Sequence, residues 1–228
     1  MNTIFWAADS TVQYNNIFTY PQTGMGQVLH LFLKPEISVS NHAKNGRSTK
    51  SFLDQGRLEP IKEQMGEGDF LFIQFGHNDE KESDPSRYTD PQKEYKENLK
   101  IFIDAARRAK AHPVLITPLE RRAFDDEGQE KESTHGLYER AMQEVAQAEN
   151  VPIIQLTRMS REKQLEAGPE ETKNWYMHVP ANKYPHFMDG LTDNTHLKYE
   201  GAVIYASCIA RGLEELGGIY KELLLTAE

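Results

Sequence analysis

Three side chains far apart in the chain have the types needed for nucleophilic catalysis. Ser10 follows an apolar run at the N-terminus, and Asp193 precedes His196 by three residues much later in the sequence. A serine hydroxyl is a poor nucleophile unless a base lies within hydrogen-bond reach. A histidine that is oriented by a carboxylate is such a base, and triads of this kind are defined by geometry rather than by chain order. We therefore predict that Ser10, Asp193 and His196 form a catalytic triad.

Two further residues could stabilise the oxyanion that develops during acyl transfer. Gly46 offers a backbone N–H group, and glycine allows the backbone to approach a ligand closely. Asn78 offers a neutral amide donor. Together with the N–H of Ser10 they form a predicted oxyanion hole. Removal of one such donor typically lowers the rate by about 100–1000-fold.

The elements that must position these residues follow an alternating pattern. Short apolar segments alternate with longer amphipathic ones, which indicates an α/β fold with a parallel sheet covered on both faces. Strands are predicted at about Thr3–Ala8, Ile37–Asn41, Asp69–Phe75, Pro113–Thr117 and Pro152–Leu156. Helices are predicted over Gly26–Leu33, Ser51–Met65, Gln92–Ala111, Thr134–Glu149, Arg158–Ala167 and Lys198–Leu224. Residues 1–228 contain no interdomain linker, so we expect a single domain.

Polar candidates follow each of the first three predicted strands. Ser10 comes after the first strand, Gly46 after the second and Asn78 after the third. Ligands of open parallel sheets bind at the carboxyl ends of the strands, so these three residues are expected on one rim. We expect Asp193 and His196 to be presented there by a loop or a first helical turn.

Two stretches are predicted to be long loops, Glu120–Ser133 and Gly168–Phe187, and loops of this length are often functional. The second contains aromatic side chains that could stack on a sugar ring or could fix the loop to the core. These aromatic residues are Trp175, Tyr176, Tyr184 and Phe187.

Composition excludes several classes of protein. With 38% hydrophobic and 27% charged residues the chain reads as a globular protein, and a net charge of −9 disfavours nucleic acid and anionic membranes as partners. No apolar run reaches the roughly 20 residues of a membrane span. The N-terminus lacks the pattern of a secretory signal, so we expect a cytoplasmic protein. The single cysteine, Cys208, lies in an apolar run and is expected to be buried.

Four short blocks resemble those of the SGNH (GDSL-type) hydrolases. They are Ala8-Asp9-Ser10-Thr11, Asn45-Gly46-Arg47-Ser48, Gly76-His77-Asn78-Asp79 and Asp193-Asn194-Thr195-His196-Leu197. The last three are similar to rhamnogalacturonan acetylesterases in particular. The blocks span residues 8 to 197, so the resemblance covers nearly the whole chain.

The resemblance implies a three-layer α/β/α sandwich around a five-stranded parallel sheet, with flavodoxin-like topology. It also implies cofactor-free hydrolysis of esters through an acyl-enzyme. Carried over position by position, Ser10 is the nucleophile, His196 the base and Asp193 its partner, while Ser10, Gly46 and Asn78 form the oxyanion hole. The first block departs from the usual Gly-Asp-Ser, because Ala8 replaces the glycine.

The substrate implied by the resemblance is an acetylated oligosaccharide that carries carboxylates. An acidic protein needs local positive charge to bind it, and arginine binds carboxylates in a bidentate manner. The predicted substrate-binding residues are Arg47, His77, Arg121 and Arg122, whereas Lys44 and Lys50 are more typical of solvated surface charges.

Other functions remain open at this stage. The chain could act on another acetylated sugar such as xylan, could be a lipase- or thioesterase-like member of the family, or could be a silent sugar-binding relative. A flavodoxin-like binding protein is a further alternative, although no glycine-rich phosphate loop follows the first strand. The histidines follow no short metal-ligand spacing, so neither a metal nor a cofactor is expected. Oligomeric state is not predicted.

Overall fold

Five parallel strands form the central sheet of the computed structural model, which describes residues 2–225. The strands are β1 (Thr3–Ala8), β2 (Ser38–Asn41), β3 (Phe70–Gln74), β4 (His112–Ile116) and β5 (Ile153–Ile154). Their order across the sheet is β2-β1-β3-β4-β5, and Phe5 of β1 pairs with Ser40 on one side and Leu71 on the other. The predicted α/β class with a five-stranded parallel sheet is confirmed.

Helices connect the strands and cover both faces of the sheet. They are α1 (Met25–Val28), α2 (Thr49–Asp54), α3 (Glu59–Gln64), α4 (Glu94–Arg108), α5 (Gly136–Glu149), α6 (Leu156–Trp175), α7 (Tyr199–Leu216) and α8 (Gly218–Lys221). Short 3₁₀ turns occur at Ile17–Thr19 and Leu29–Phe32.

Side chains of β1 alternate between two apolar cores. Ile4 and Trp6 pack on the face covered by α1, α6 and α7, whereas Phe5 and Ala7 pack on the face covered by α2–α5. Both faces are buried, so the strand is a continuous apolar run in the sequence, as expected for a parallel sheet. Full burial of a large apolar side chain contributes about 1.5–3 kcal/mol, and this fixes the strand ends at which the site is built.

Several predicted helices are shorter or interrupted in the structure. The expected helix over Ser51–Met65 is two helices, α2 and α3. The expected helix over Lys198–Leu224 ends at Gly217, whose φ of 69° interrupts the helical backbone before α8. The expected Gly26–Leu33 helix is one turn of α1 followed by a 3₁₀ turn.

The prediction of a loop over Gly168–Phe187 is wrong for more than half of that segment. Helix α6 continues to Trp175 across a kink at Gly168, whose φ is 83°. Two antiparallel strands follow, β6 (Tyr176–Val179) and β7 (Leu191–Leu197). Trp175 and Tyr176 are buried in the core and are unavailable to a sugar. The first loop, Glu120–Ser133, is irregular as predicted apart from an isolated bridge of Phe124 with Glu130.

None of the helices in the described range 2–225 is both long and apolar enough to cross a membrane. The cytoplasmic location expected from the sequence stays a prediction. Cys208 is buried as expected, and burial raises the pKa of its thiol to about 11.

Candidate active site

One cavity of about 300 Å³ lies at the carboxyl ends of β1, β2 and β3. Its walls combine all five predicted catalytic and oxyanion residues with several charged ones. The lining residues are Ser10, Asn45, Gly46, His77, Asn78, Lys81, Arg87, Arg121, Asp193, Thr195 and His196. The structure therefore brings together residues that are up to 186 positions apart in the chain (10 to 196).

Asp193 and His196 form a tightly coupled pair on β7. Oδ2 of Asp193 lies 2.6 Å from Nδ1 of His196, while Oδ1 accepts the backbone N–H groups of Thr195 at 2.7 Å and His196 at 3.0 Å. Burial by itself would raise the pKa of Asp193, but these hydrogen bonds and the charge of His196 outweigh it and lower the pKa to about 2. Asp193 is thus ionised at neutral pH and holds the ring with Nδ1 protonated.

The placement of the pair on a strand differs from the expected loop or helical turn. Strand β7 is attached to the rim by backbone hydrogen bonds on both sides. The N–H of Arg122 donates to the carbonyl of Asn194 at 2.8 Å, and the N–H of Thr23 donates to the carbonyl of Leu197 at 2.9 Å. A strand held by two neighbouring segments fixes His196 more firmly than a free loop would.

Ser10 follows β1 in a tight turn. Asp9 is buried, and its Oδ1 accepts both the backbone N–H and the hydroxyl of Thr11 at 2.9 Å. The carbonyl of Asp9 accepts the N–H of Val12 at 3.3 Å, which closes the turn. Ser10 is 7% exposed and faces the cavity that His196 also lines. Catalytic serine–histidine hydrogen bonds often tighten only when substrate is bound.

The oxyanion candidates present donors to the same cavity. Gly46 has a φ of 72°, a conformation that favours glycine, and a Cβ here would lie 3.3 Å from Nη1 of Arg87. Within the described chain the backbone N–H groups of Ser10 and Gly46 donate to no other residue. Nδ2 of Asn78 donates to the carbonyl of Arg47 at 3.0 Å, which leaves its second hydrogen for a ligand.

A buried carboxylate connects the Gly46 and Asn78 blocks. Oδ1 of Asp79 accepts the backbone N–H of Thr49 at 3.0 Å and the hydroxyl groups of Thr49 and Thr89. Burial outweighs these hydrogen bonds and raises the pKa of Asp79 to about 7. Because Thr49 begins α2 and Asp79 follows Asn78, this contact fixes the spacing of the two candidate oxyanion donors.

Three cations surround the cavity in an otherwise acidic protein. Arg121 was predicted, whereas Lys81 and Arg87 were not, because charged residues in a polar loop give no sequence signal that separates them from solvated ones. Nη2 of Arg121 donates to Glu80 Oε1 at 2.7 Å, and Nη1 donates to Thr195 Oγ1. Arg87 donates to Asn78 Oδ1 at 3.4 Å. Arg87 also pairs with Asp84 at 2.8 Å, so Lys81 is the one cation of the three without an acidic partner among the described residues.

Two predicted substrate-binding residues are corrected by the structure. The guanidinium of Arg122 is buried and donates to Thr172 Oγ1 and to three backbone carbonyls, those of Phe124, Asp125 and Pro169, at 2.8–3.2 Å. It therefore holds the first long loop against the kink of α6 and does not reach the cavity.

Arg47 contributes only its backbone carbonyl to the site, through Asn78. Its side chain turns away to Gln55 and to the carbonyl of Asn45. Neither Lys44 nor Lys50 lines the cavity, which agrees with their expected role as surface charges.

His77 lines the cavity as predicted, and it belongs to a largely buried cluster that the sequence did not reveal. Potential ligand atoms of His77, Glu80 and His135 lie within 4.8 Å of one another, the single such group among residues 2–225 that could hold a metal ion. Oε2 of Glu80 already contacts Nδ1 of His135 at 2.8 Å, and its other oxygen contacts Arg121. Burial, followed by repulsion from His135, holds the pKa of His77 well below its usual range, so this ring is neutral.

The fold and the cavity define an ester hydrolase of the SGNH class. Residues 9–202 match the model of the GDSL-like lipase/acylhydrolase family, and the chain belongs to that family. Its members hydrolyse carboxylic esters, and this chain is such an enzyme.

The chain is also similar to individual proteins in sequence and in structure. The chain is 40% identical to the rhamnogalacturonan acetylesterase RhgT of Bacillus subtilis over 99% of this chain and 95% of RhgT. It is 39% identical to YesY of the same organism, a probable rhamnogalacturonan acetylesterase, over 95% and 94% of the two chains. Among solved structures, the acetylxylan esterase Axe2 of Geobacillus stearothermophilus shares the fold, with a TM-score of 0.63 at 14% identity over 92% of this chain and 93% of that one.

Proposed function

We propose that this protein removes acetyl groups from rhamnogalacturonan fragments through an acetyl-serine intermediate, within one catalytic domain formed by residues 1–228. The observation that carries the proposal is the contact of Asp193 Oδ2 with His196 Nδ1 at 2.6 Å, in the cavity that Ser10 also lines. The names of RhgT and YesY supply the substrate class. Pectin degradation is the process in which such an activity belongs.

The proposed reaction has two half-reactions. Ser10 Oγ attacks the acetyl carbonyl while Nε2 of His196 accepts the hydroxyl proton. Asp193 stabilises the imidazolium that forms. The proton then passes to the sugar oxygen, which leaves as a hydroxyl group. Water that is activated by His196 cleaves the acetyl-serine and releases acetate.

The oxyanion of each tetrahedral intermediate would be held by three donors. They are the N–H groups of Ser10 and Gly46 and the second Nδ2 hydrogen of Asn78. Donors that are already oriented need no reorganisation when charge develops, so their effect falls mainly on kcat.

The cations around the cavity favour an anionic sugar over a neutral one such as xylan. A galacturonate carboxylate next to the acetylated sugar can pair with Arg121, Lys81 or Arg87. Lys81 is the cleanest probe of this interaction, because its side chain makes no hydrogen bond or ion pair with another described residue.

Acetate release from acetylated rhamnogalacturonan and from acetylxylan, with Ser10→Ala as the inactive reference, tests the proposal. We expect faster release from the pectic substrate and none from Ser10→Ala, with unchanged circular dichroism. Inactivity of the wild type on both polymers, or full activity of Ser10→Ala, would contradict the proposal. Preference for acetylxylan would support the alternative sugar esterase.

A second experiment tests charge recognition. In Arg121→Ala and Lys81→Met, KM for an acetylated uronate oligosaccharide should rise about 10- to 150-fold, since a charge-assisted hydrogen bond contributes about 1.5–3 kcal/mol. KM for neutral 4-nitrophenyl acetate should stay within about twofold of wild type. Arg211→Ala, an exposed arginine on α7, is the matched control. Equal changes in KM for both substrates would show that Arg121 and Lys81 do not recognise the uronate carboxylate.

A further inference from the structure

A second cavity, of about 440 Å³, is lined mainly by the segment from Tyr14 to Leu31. Large side chains beside it extend into solvent, with Tyr14 67%, Ile17 77%, Phe18 66% and Tyr20 59% exposed. Tyr199, which is 54% exposed, lines the cavity from the start of α7. Exposed apolar groups in contiguous patches mark binding surfaces rather than ordinary protein surface.

Residues from the β6–β7 connection extend this surface. Phe18 packs edge-to-face on His186 with ring centroids 5.5 Å apart, and Tyr20 packs in the same way on Tyr184 at 5.4 Å. We call the whole set the aromatic surface. It comprises Tyr14, Phe18, Tyr20, Tyr184, His186 and Tyr199.

Hydrogen bonds hold the backbone beneath the aromatic surface in one shape. Oε1 of Gln27 accepts the N–H groups of Asn15 at 2.9 Å and Gly24 at 3.0 Å, while Nε2 donates to the carbonyl of Asn15 at 3.3 Å. Oδ1 of Asn16 accepts the N–H of Phe18 at 3.0 Å. A surface that is fixed before binding loses little conformational freedom when a ligand arrives.

Hydrogen bonds join the segment beneath the aromatic surface to residues next to the active site. The N–H of Thr23 donates to the carbonyl of Leu197, one residue after His196. At the other end of the segment, Oε1 of Gln13 accepts the N–H of Asn45, one residue before Gly46. The segment is therefore anchored to the chain neighbours of His196 and Gly46, two residues of the catalytic cavity.

The chemistry of the second cavity matches a saccharide. Its lining combines the aromatic rings of Tyr14, Tyr20 and Tyr199 with the amide side chains of Asn16 and Gln22. Sugars present apolar C–H faces rimmed by hydroxyl groups, which suit rings and amides respectively. Nζ of Lys183 lies 5.6 Å above the Tyr184 ring and adds a positive charge for a uronate.

We propose that the aromatic surface binds the sugar residues that flank the acetylated one in a rhamnogalacturonan chain. The identity of the polymer rests on the proposed function; the binding surface itself does not depend on turnover.

Affinity gel electrophoresis with deacetylated rhamnogalacturonan tests the proposal without requiring catalysis. We expect the polymer to retard the wild type, and Tyr14→Ala/Phe18→Ala to weaken binding about tenfold, as truncation of central aromatic contacts does at other interfaces. Ile101→Ala/Leu137→Ala removes exposed apolar groups from α4 and α5 and is the matched control. Thermal melts establish that both double variants are folded.

The outcomes separate this inference from the proposed function. Retardation of the wild type without acetate release from the acetylated polymer would support the surface and refute the esterase proposal. Acetate release with equal retardation of wild type and Tyr14→Ala/Phe18→Ala would refute the surface alone. Sedimentation velocity gives a further check, because a dimer that dissociates only in this variant, with polymer binding unchanged, would overturn the proposal in favour of a second copy of the chain.

Discussion

Replacement of Asp193 by asparagine tests whether Asp193 controls which ring nitrogen of His196 carries the proton. Oδ1 of Asp193 is occupied by two backbone N–H groups, and Oδ2 faces Nδ1 of His196 at 2.6 Å. An asparagine that preserves the backbone hydrogen bonds must direct its NH₂ group at Nδ1. That nitrogen then has to act as acceptor, so the ring proton moves to Nε2. The atom that should take the proton of Ser10 is then already protonated.

Two terms set the size of the effect. The hydrogen bonds and the His196 charge lower the pKa of Asp193 from 3.8 to about 2 despite burial, which corresponds to about 2 kcal/mol in favour of the charged form. This net effect, part of which comes from backbone hydrogen bonds that asparagine retains, corresponds to about 30-fold in rate. Inversion of the tautomer adds to it, and asparagine replacements in triads lower kcat by about 10⁴. We therefore expect a loss of between about 10³ and 10⁴ in kcat with little change in KM.

The assay is hydrolysis of 4-nitrophenyl acetate under saturating conditions from pH 5 to pH 9. Asp189→Asn is the matched control, because Asp189 is exposed in the connection between β6 and β7 and undergoes the same chemical change. It should retain wild-type kcat. Thermal unfolding should show both variants folded. If Asp193→Asn keeps more than about a tenth of wild-type kcat, the assigned role of the Asp193–His196 pair is refuted.

Three further predictions concern the oxyanion hole, the first long loop and the stability of the site. Asn78→Ala should lower kcat on 4-nitrophenyl acetate about 100–1000-fold with KM nearly unchanged, and a loss confined to KM would count against an oxyanion role. Arg122→Met should cost about 3 kcal/mol in urea unfolding, because buried carbonyls lose their donors, and an unchanged unfolding midpoint would contradict the structural role. Asp79 has a pKa of about 7 in the folded protein, against an ordinary value of 3.8. Its contribution to the free energy of unfolding therefore falls as pH rises from about 4 to about 7, and it stays constant at higher pH. Asp79→Asn should therefore gain up to about 4 kcal/mol relative to wild type between pH 4 and pH 8, and a pH-independent difference between the two proteins would disprove this origin.

The sheet could be predicted from the sequence because burial on both faces leaves a direct local pattern. The segments around Phe70–Gln74 and His112–Ile116 are apolar runs bounded by polar residues, and all five predicted strands correspond to observed ones. Their order along the chain then placed the residues after β1, β2 and β3 on one rim, since parallel strands share the direction of their carboxyl ends.

The hairpin of β6 and β7 could not be predicted in the same way. Thr192 to Thr195 is a polar stretch without the alternation of a half-buried strand. Its pairing with β6 joins Met177 to Asp193 and His178 to Thr192 across a long connection. The continuation of α6 was also hidden, because Gly168 and Pro169 read as a helix end although the chain resumes the helix after one non-helical residue.

The sequence by itself determined the positions of the strands along the chain and the blocks that carry Ser10, Gly46, Asn78 and the Asp193–His196 pair. These blocks also indicated the family of the protein. These features are local, because each depends on residue type and short spacing. Only the tertiary structure decided which charges act in the cavity and which residues are exposed beside it. Arg121 and Arg122 are neighbours of the same type, yet one guanidinium lines the cavity and the other is buried against α6. The direction of a side chain depends on partners distant in the sequence, and no local pattern encodes them.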